Sequence, residues 1–234
     1  MVPPFIELTN LTKNFGNGKG IFDLSFGVQQ GEVFGFLGPN GAGKSTTIRH
    51  LMGFMKPQSG SCQIMGKDCF SQAALIQQSV GYLAGEIAFI EDMSGISYLN
   101  FIADMKGIRD RSSIRDLLYR FELNPRGKIK KMSKGMKQKI GLVAAFMGDP
   151  SVLILDEPTS GLDPLMQNRF VELLLERKKK GSTVFMSSHI FEEVEKTCNR
   201  TAIIREGRLV DIVQMKELSK LRNRIYTVTL HDKE

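Results

Sequence analysis

Gly38-Pro39-Asn40-Gly41-Ala42-Gly43-Lys44-Ser45, continued by Thr46, carries the residue types that hold phosphate. The segment fits G-x-x-x-x-G-K-[ST], a spacing in which glycines let backbone N–H groups turn inward on phosphate oxygens. Lys44 is expected to reach the β- and γ-phosphates of ATP, and Ser45 to place its hydroxyl on Mg²⁺. Two carboxylates, Asp156 and Glu157, follow the apolar run Val152-Leu153-Ile154-Leu155. An acidic pair after a strand is usually only solvated. Beside a phosphate loop, Asp156 is expected to hold Mg²⁺ through water and Glu157 to orient and activate the attacking water. His189 follows Ser187-Ser188 at the end of another apolar run. Two uses stay open for it: contact with the terminal phosphate, or simply opening the next helix.

These side chains need elements that bring them to one edge. Val33–Leu37 reads as a short buried strand running into the glycine loop, and Ser45–Phe54 as the helix after it. Ser151–Leu155 has the continuous apolar character of a parallel strand buried on both faces, and Thr183–Ser187 is its counterpart. In such sheets ligands gather at the carboxyl ends of the strands, where the glycine loop, the acids and His189 all fall. Pro164–Lys180 and Ile190–Cys198 read as helices. Phe5–Leu8, Leu24–Val28, Ser61–Met65 and Ser79–Leu83 read as strands, with a turn at Gly66-Lys67-Asp68, and Thr201–Arg205 with Arg208–Ile212 as a hairpin. From Met93 to Phe121 the pattern is helical and more polar, an all-α insertion. Strands alternating with helices predict an α/β core with a mostly parallel sheet. Arg224–Leu230 reads as one more strand with nothing left to pair with, from a truncated chain or for a partner.

Composition bounds the rest. The 234 residues suit one domain with subdomains, and 41% hydrophobic with 24% charged residues is ordinary for a soluble globular protein. No basic, then apolar leader opens the chain, and no apolar run approaches a membrane span. Cys62, Cys69 and Cys198 are odd in number and scattered, which favours buried thiols in a reducing cytosol over disulfides. The net charge of +7 fits nucleic acid, an anionic membrane surface or ordinary lysine-rich helix ends. Arg177-Lys178-Lys179-Lys180-Gly181 reads as such an end, its cations complementing the helix dipole before a glycine cap.

Over essentially its whole length the chain resembles the ATPase subunits of ABC transporters. Met132-Ser133-Lys134-Gly135-Met136-Lys137-Gln138-Lys139 is similar to the family signature, and Ser160-Gly161-Leu162-Asp163 to its D-loop. His189 falls where the switch histidine belongs, and Phe15 where an aromatic stacks on adenine. The resemblance implies a P-loop NTPase (RecA-like) core with an N-terminal antiparallel β subdomain and an inserted α-helical subdomain. The ATPase domain would span 1–225, with the helical part at about 86–140, and 226–234 would begin a truncated C-terminal extension. It further implies a head-to-tail homodimer or heterodimer with two ATPs sandwiched between subunits. Ser133 and the N–H of Gly135 would bind the γ-phosphate of the opposite subunit, at the start of a helix beginning near Met136. The lysines from Lys128 to Lys139 would supply a positive field there, or would only solvate a face.

Two departures stand out. The usual signature is Leu-Ser-Gly-Gly-Gln, whereas Lys134 replaces its first glycine and Met136 its glutamine. After the strand at Ser79–Leu83 the family commonly has a glutamine; here the chain reads Ala84-Gly85-Glu86, and Glu86 is the candidate substitute on the metal side. Both resemble bacterial exporter ATPases that work with a separately encoded transmembrane permease. That implies a cytoplasmic subunit on the inner face of the cell membrane, with no nucleic-acid partner. The alternative is a soluble ATPase of this family acting on ribosomes or DNA ends. Those types carry two such domains or a long coiled coil, and this chain has one phosphate loop, one signature and no sustained heptads.

Overall fold

The computed structural model describes residues 3–220, and side chains as far as 217; the expected strand at Arg224–Leu230 lies outside that range. Strands β1 (Ile6–Gly16) and β2 (Lys19–Val28) form an antiparallel hairpin. Asn17 and Gly18 turn it, with φ of 50° and 72°. Positive φ at both central residues is what a two-residue turn between twisted strands demands, and Asn-Gly supplies it. Ile6, Leu8 and Leu11 of β1 face Ile21, Leu24 and Phe26 of β2 in the core. The hairpin is longer than its apolar halves suggest, because its distal part is exposed.

Strand β3 (Val33–Leu37) leads through the glycine loop to helix α1 (Lys44–Leu51). Strands β4 (Ser59–Ile64) and β5 (Lys67–Asp68) complete a sheet of order β2-β1-β4-β5. Lys67 and Asp68, expected within a turn, thus pair with Ile64 and Gln63. The short helix α2 (Ala73–Gln77) precedes β6 (Val80–Leu83).

Between β6 and the next strand the chain is helical. Helices α3 (Gly95–Met105) and α4 (Ser112–Arg120) are separated at Gly107, whose φ of 66° interrupts what the sequence reads as one helical stretch. A 3₁₀ turn at Ile129–Lys131 leads to α5 (Lys134–Phe146). Helix α5 starts two residues earlier than expected because Ser133 caps it, accepting from Met136 N at 3.2 Å.

Strands β7 (Val152–Asp156) and β8 (Thr183–Ser188) flank α6 (Pro164–Lys179) in sequence, and α7 (Phe191–Thr197) follows. The hairpin β9 (Arg200–Arg205) and β10 (Arg208–Gln214) precedes α8 (Met215–Lys220). The second sheet runs β10-β9-β3-β8-β7-β6, parallel except for the β9–β10 pair. Every residue of β7 and β8 is buried, as two-sided packing of a parallel sheet requires.

One apolar cluster fills the space between the two sheets and α1, with the rings of Phe26 and Phe185 against each other and each against Phe34 and Phe36. A second joins the opposite sheet face to α3–α7. Arg177 departs from its expected role at the end of α6: it is buried and paired with Asp149. Lys180 and Gly181, φ 87°, close the helix as expected. The three cysteines are free and buried. Among the described residues no helix is long and apolar enough to cross a membrane.

Candidate active site

The glycine loop is shaped from outside as well as by its own residues. Gly43 adopts φ 108°, and a Cβ there would lie 2.8 Å from Ile21 Cγ2. A Cβ on Gly38 would lie 2.4 Å from the Ile204 carbonyl oxygen of β9. The tip of the β9–β10 hairpin closes on the loop through Gly207 N–H to the Ala42 carbonyl at 2.9 Å, and Gly38 N–H donates to the Ser188 carbonyl at 3.2 Å. Glycine at these positions is therefore set by space as much as by torsion.

Lys44 is buried at 6% exposure. Its Nζ donates to the carbonyls of Gly38 at 2.7 Å and Pro39 at 3.2 Å, and lies 3.1 Å from Glu157 Oε1. An open cavity of about 530 Å³ in front of it is lined by Phe15, Asn40, Gly41, Gly43, Ser45 and Thr46, among others. That volume falls within the range of small-ligand pockets. Phe15 is half exposed at this cavity, free to present a ring face.

The acids and the histidine form one hydrogen-bonded edge. Asp156 and Ser187 are directly paired across β7 and β8. Ser187 Oγ donates to Asp156 Oδ1 at 2.5 Å and accepts from Glu157 N at 3.0 Å. Glu157 holds φ 50°, an uncommon left-handed backbone for a residue with a side chain. His189 Nδ1 donates to Glu157 Oε2 at 2.6 Å. Lys44, Glu157 and His189 are thus one continuous network, and Asp156 joins it through two hydrogen bonds at the Ser187 hydroxyl. Ser187 carries no sequence signal of its own beyond its place in Ser187-Ser188-His189.

Ser45 and Asp156 line a second cavity of about 550 Å³ together with Gly85 and the exposed Glu86. Gly85 is the residue packed on the Asp156 carboxylate, since a Cβ there would stand 3.0 Å from Oδ2. Burial and the Asp156 charge push the Tyr82 phenol, also on this wall, above its ordinary pKa. One hydroxyl and one carboxylate are an oxygen-only donor set that suits Mg²⁺, which keeps waters and takes further ligands from substrate phosphates. Among the described residues no group of three or more His, Cys, Asp or Glu forms a metal cage of its own.

Ser133 and Gly135 do not line the cavity in front of Lys44. They open α5 on another face, where a Cβ on Gly135 would stand 2.7 Å from the Gly161 carbonyl and Lys134 lies along Gly161. Gln138, buried one turn into α5, donates to the carbonyls of Pro158 at 2.9 Å and Glu157 at 3.3 Å. Asp163 caps α6 by accepting from Met166 N at 3.0 Å. The signature residues are therefore keyed to the segment following Glu157, and within one chain they are kept apart from the phosphate loop.

A phosphate cradle between strand and helix, with two acids and a histidine on the adjoining parallel strands, defines a P-loop nucleotide hydrolase. Residues 21–160 match the family model described as ABC transporter. The bacitracin transport ATP-binding protein BcrA of Bacillus licheniformis is 38% identical over 226 residues, covering 94% of this chain and 73% of that one. YhcH of Bacillus subtilis, described as an uncharacterized ABC transporter ATP-binding protein, is 40% identical over 91% of this chain and 70% of its own length. The solved ATP binding subunit of an ABC transporter superposes with a TM-score of 0.82 at 30% identity, covering 92% of each chain. The dimeric ABC transporter cassette MJ0796 shares the fold, with a TM-score of 0.81 at 20% identity over 90% of this chain and 98% of that one. The chain belongs to the ABC transporter ATP-binding family and is an ATPase subunit that drives transport by ATP hydrolysis.

Proposed function

We propose that this chain powers export through a separately encoded transmembrane permease, working as a dimer that completes each ATP site from two copies or from a copy and a homologous subunit. The separation carries the reading. Lys44, Glu157 and His189 are joined on one face, whereas Ser133 and Gly135 open a helix on another and line no part of the same cavity. A γ-phosphate held by Lys44 therefore receives the Ser133 hydroxyl and the Gly135 N–H only from a second subunit. MJ0796, a relative in fold, is described as dimeric, and cbiO1 of Clostridium perfringens, 26% identical, as part of a transporter complex.

Each residue has a role in this scheme. Backbone N–H groups from Gly38 to Thr46 surround the phosphates, aided by the N-terminus of α1. Phe15 stacks on adenine. Ser45 and Asp156 would hold Mg²⁺, which would supply positive charge to the bound phosphates. Glu157 orients water and accepts its proton, and His189, hydrogen-bonded to that carboxylate, fixes its direction and faces the γ-phosphate. Asp163 holds the start of α6 beside the subunit boundary. Glu86 lines the cavity shared by Ser45 and Asp156, where it would link the metal side to the helical segment after β6. ATP favours the closed dimer because only that state contacts it from both sides, and hydrolysis removes the preference.

The names of BcrA, a bacitracin transport protein, and of YbhF, a probable multidrug transporter subunit, support peptide antibiotics or drugs as cargo. The chain then sits on the cytoplasmic side of the membrane, bound to its permease. Isolation from native membranes tests this: the reading expects a polytopic membrane protein to co-purify with the chain. Recovery only with ribosomes or nucleic acid would overturn it.

A further inference from the structure

Glu193 lies in the first turn of α7, away from the phosphate loop and outside the roles assigned above. An acid at that position ordinarily complements the helix dipole or caps a backbone N–H. Both of its carboxylate oxygens are instead taken by side chains of two different loops. Thr159 Oγ1, from the loop after β7, donates to Oε1. Ser188 Oγ, from the loop after β8, donates to Oε2 at 2.8 Å. Both hydroxyl-bearing residues are buried, Thr159 at 4% and Ser188 at 0% exposure. Ser188 Oγ also accepts from Ile190 N at 2.9 Å, which fixes the turn containing His189.

We propose that Glu193 is a positioning residue for ATP hydrolysis: its carboxylate clasps the Glu157 loop to the His189 loop and so sets the bond between those two side chains. Thr159 is two residues beyond Glu157, and Ser188 is adjacent to His189. Glu157 occupies a backbone conformation at φ 50° that persists only where its surroundings over-determine it. Removing the carboxylate takes the acceptor from the buried Thr159 hydroxyl and leaves Ser188 Oγ only the Ile190 carbonyl at 3.3 Å, within its own loop, so the bond between the two loops is lost. The Glu193 carboxylate bonds the Thr159 and Ser188 hydroxyls, whereas the phosphate loop meets Ser188 through its carbonyl, at Gly38 N–H, so nucleotide affinity stays while the hydrolytic step slows.

This inference rests on the assignment of Glu157 and His189 to hydrolysis, and the test separates the two. In the intact protein, Glu193→Ala should lower kcat by at least about tenfold while the Kd for MgATP stays within about twofold. Glu193→Gln keeps one carbonyl acceptor and should fall in between. Should Glu193→Ala fail to fold, Thr159→Val and Thr159→Ser carry the test. The valine, matched in shape but lacking the hydroxyl, should lose kcat, and the serine should keep it. Wild-type kcat in Glu193→Ala, or in Thr159→Val where that variant replaces it, overturns the clasp, as does a kcat loss matched by an equal loss of MgATP affinity. If Glu157→Gln hydrolyses ATP normally, the underlying assignment fails. If Glu157→Gln is inactive while Glu193→Ala is normal, only the clasp fails.

Discussion

Glu157→Gln should make the protein bind ATP more tightly while nearly abolishing its hydrolysis. The Lys44 ammonium lies 3.1 Å from the Glu157 carboxylate. At an effective dielectric near 20, that attraction is roughly 5 kcal/mol before desolvation. Glu157 keeps 20% exposure, and both groups are partly rehydrated when separated, so the net contribution is about 1–2 kcal/mol. An incoming phosphate must take Lys44 from this partner. A neutral glutamine competes less and does not repel the γ-phosphate, so affinity should rise about 5- to 30-fold. Loss of the general base should lower kcat by roughly 100- to 10,000-fold. Equilibrium titration with MgATP and a steady-state phosphate-release assay on the same preparation read both quantities. Weaker ATP binding would refute the competition for Lys44, and an unchanged rate would refute the role of Glu157 in activating water.

Ser187→Ala removes the donor to Asp156 and leaves the Glu157 N–H without its acceptor. It should destabilise the fold by about 2–4 kcal/mol in urea denaturation, and an unshifted midpoint would contradict the bonding described. Burial holds His50 below its ordinary pKa of 6.5, with Nδ1 bonded to the Thr46 carbonyl and Nε2 without a partner. The unfolded chain therefore takes up a proton below pH 6.5 that the folded chain refuses, and stability should fall with pH there by up to about 1.4 kcal/mol per unit. His50→Leu should flatten that portion of the stability–pH curve, and identical slopes would place the pH dependence elsewhere.

How far the sequence reveals the site depends on the range of each interaction. The glycine loop is legible because loop, preceding strand and following helix are contiguous. The burial of β7 is legible because four apolar residues in succession fit only a strand covered on both faces. The β1–β2 hairpin is cut short because apolar alternation ends before the strands do, although Asn17-Gly18 carried the turn signal. Lys67-Asp68 is too short a strand to show any period and is recognised only through its pairing with Gln63 and Ile64. Arg177 reads as part of a basic helix end, while its partner Asp149 lies on a distant turn. Ser187 and Glu193 gain meaning only once β7 and β8 lie side by side, an adjacency between segments about thirty residues apart that no local pattern states.

The composite site is tested most directly by mixing two inactive variants of the full chain. Lys44→Ala disables the phosphate loop, and Ser133→Ala disables the signature contact offered to the partner. In a randomly reassorted equal mixture, about a quarter of the sites join an intact loop from one copy to an intact signature from another. ATPase activity should therefore return to about a quarter of the wild-type rate on mixing, while each variant alone stays near zero. Full activity in Ser133→Ala alone, or no recovery in the mixture despite dimer formation, would contradict a site shared between two subunits.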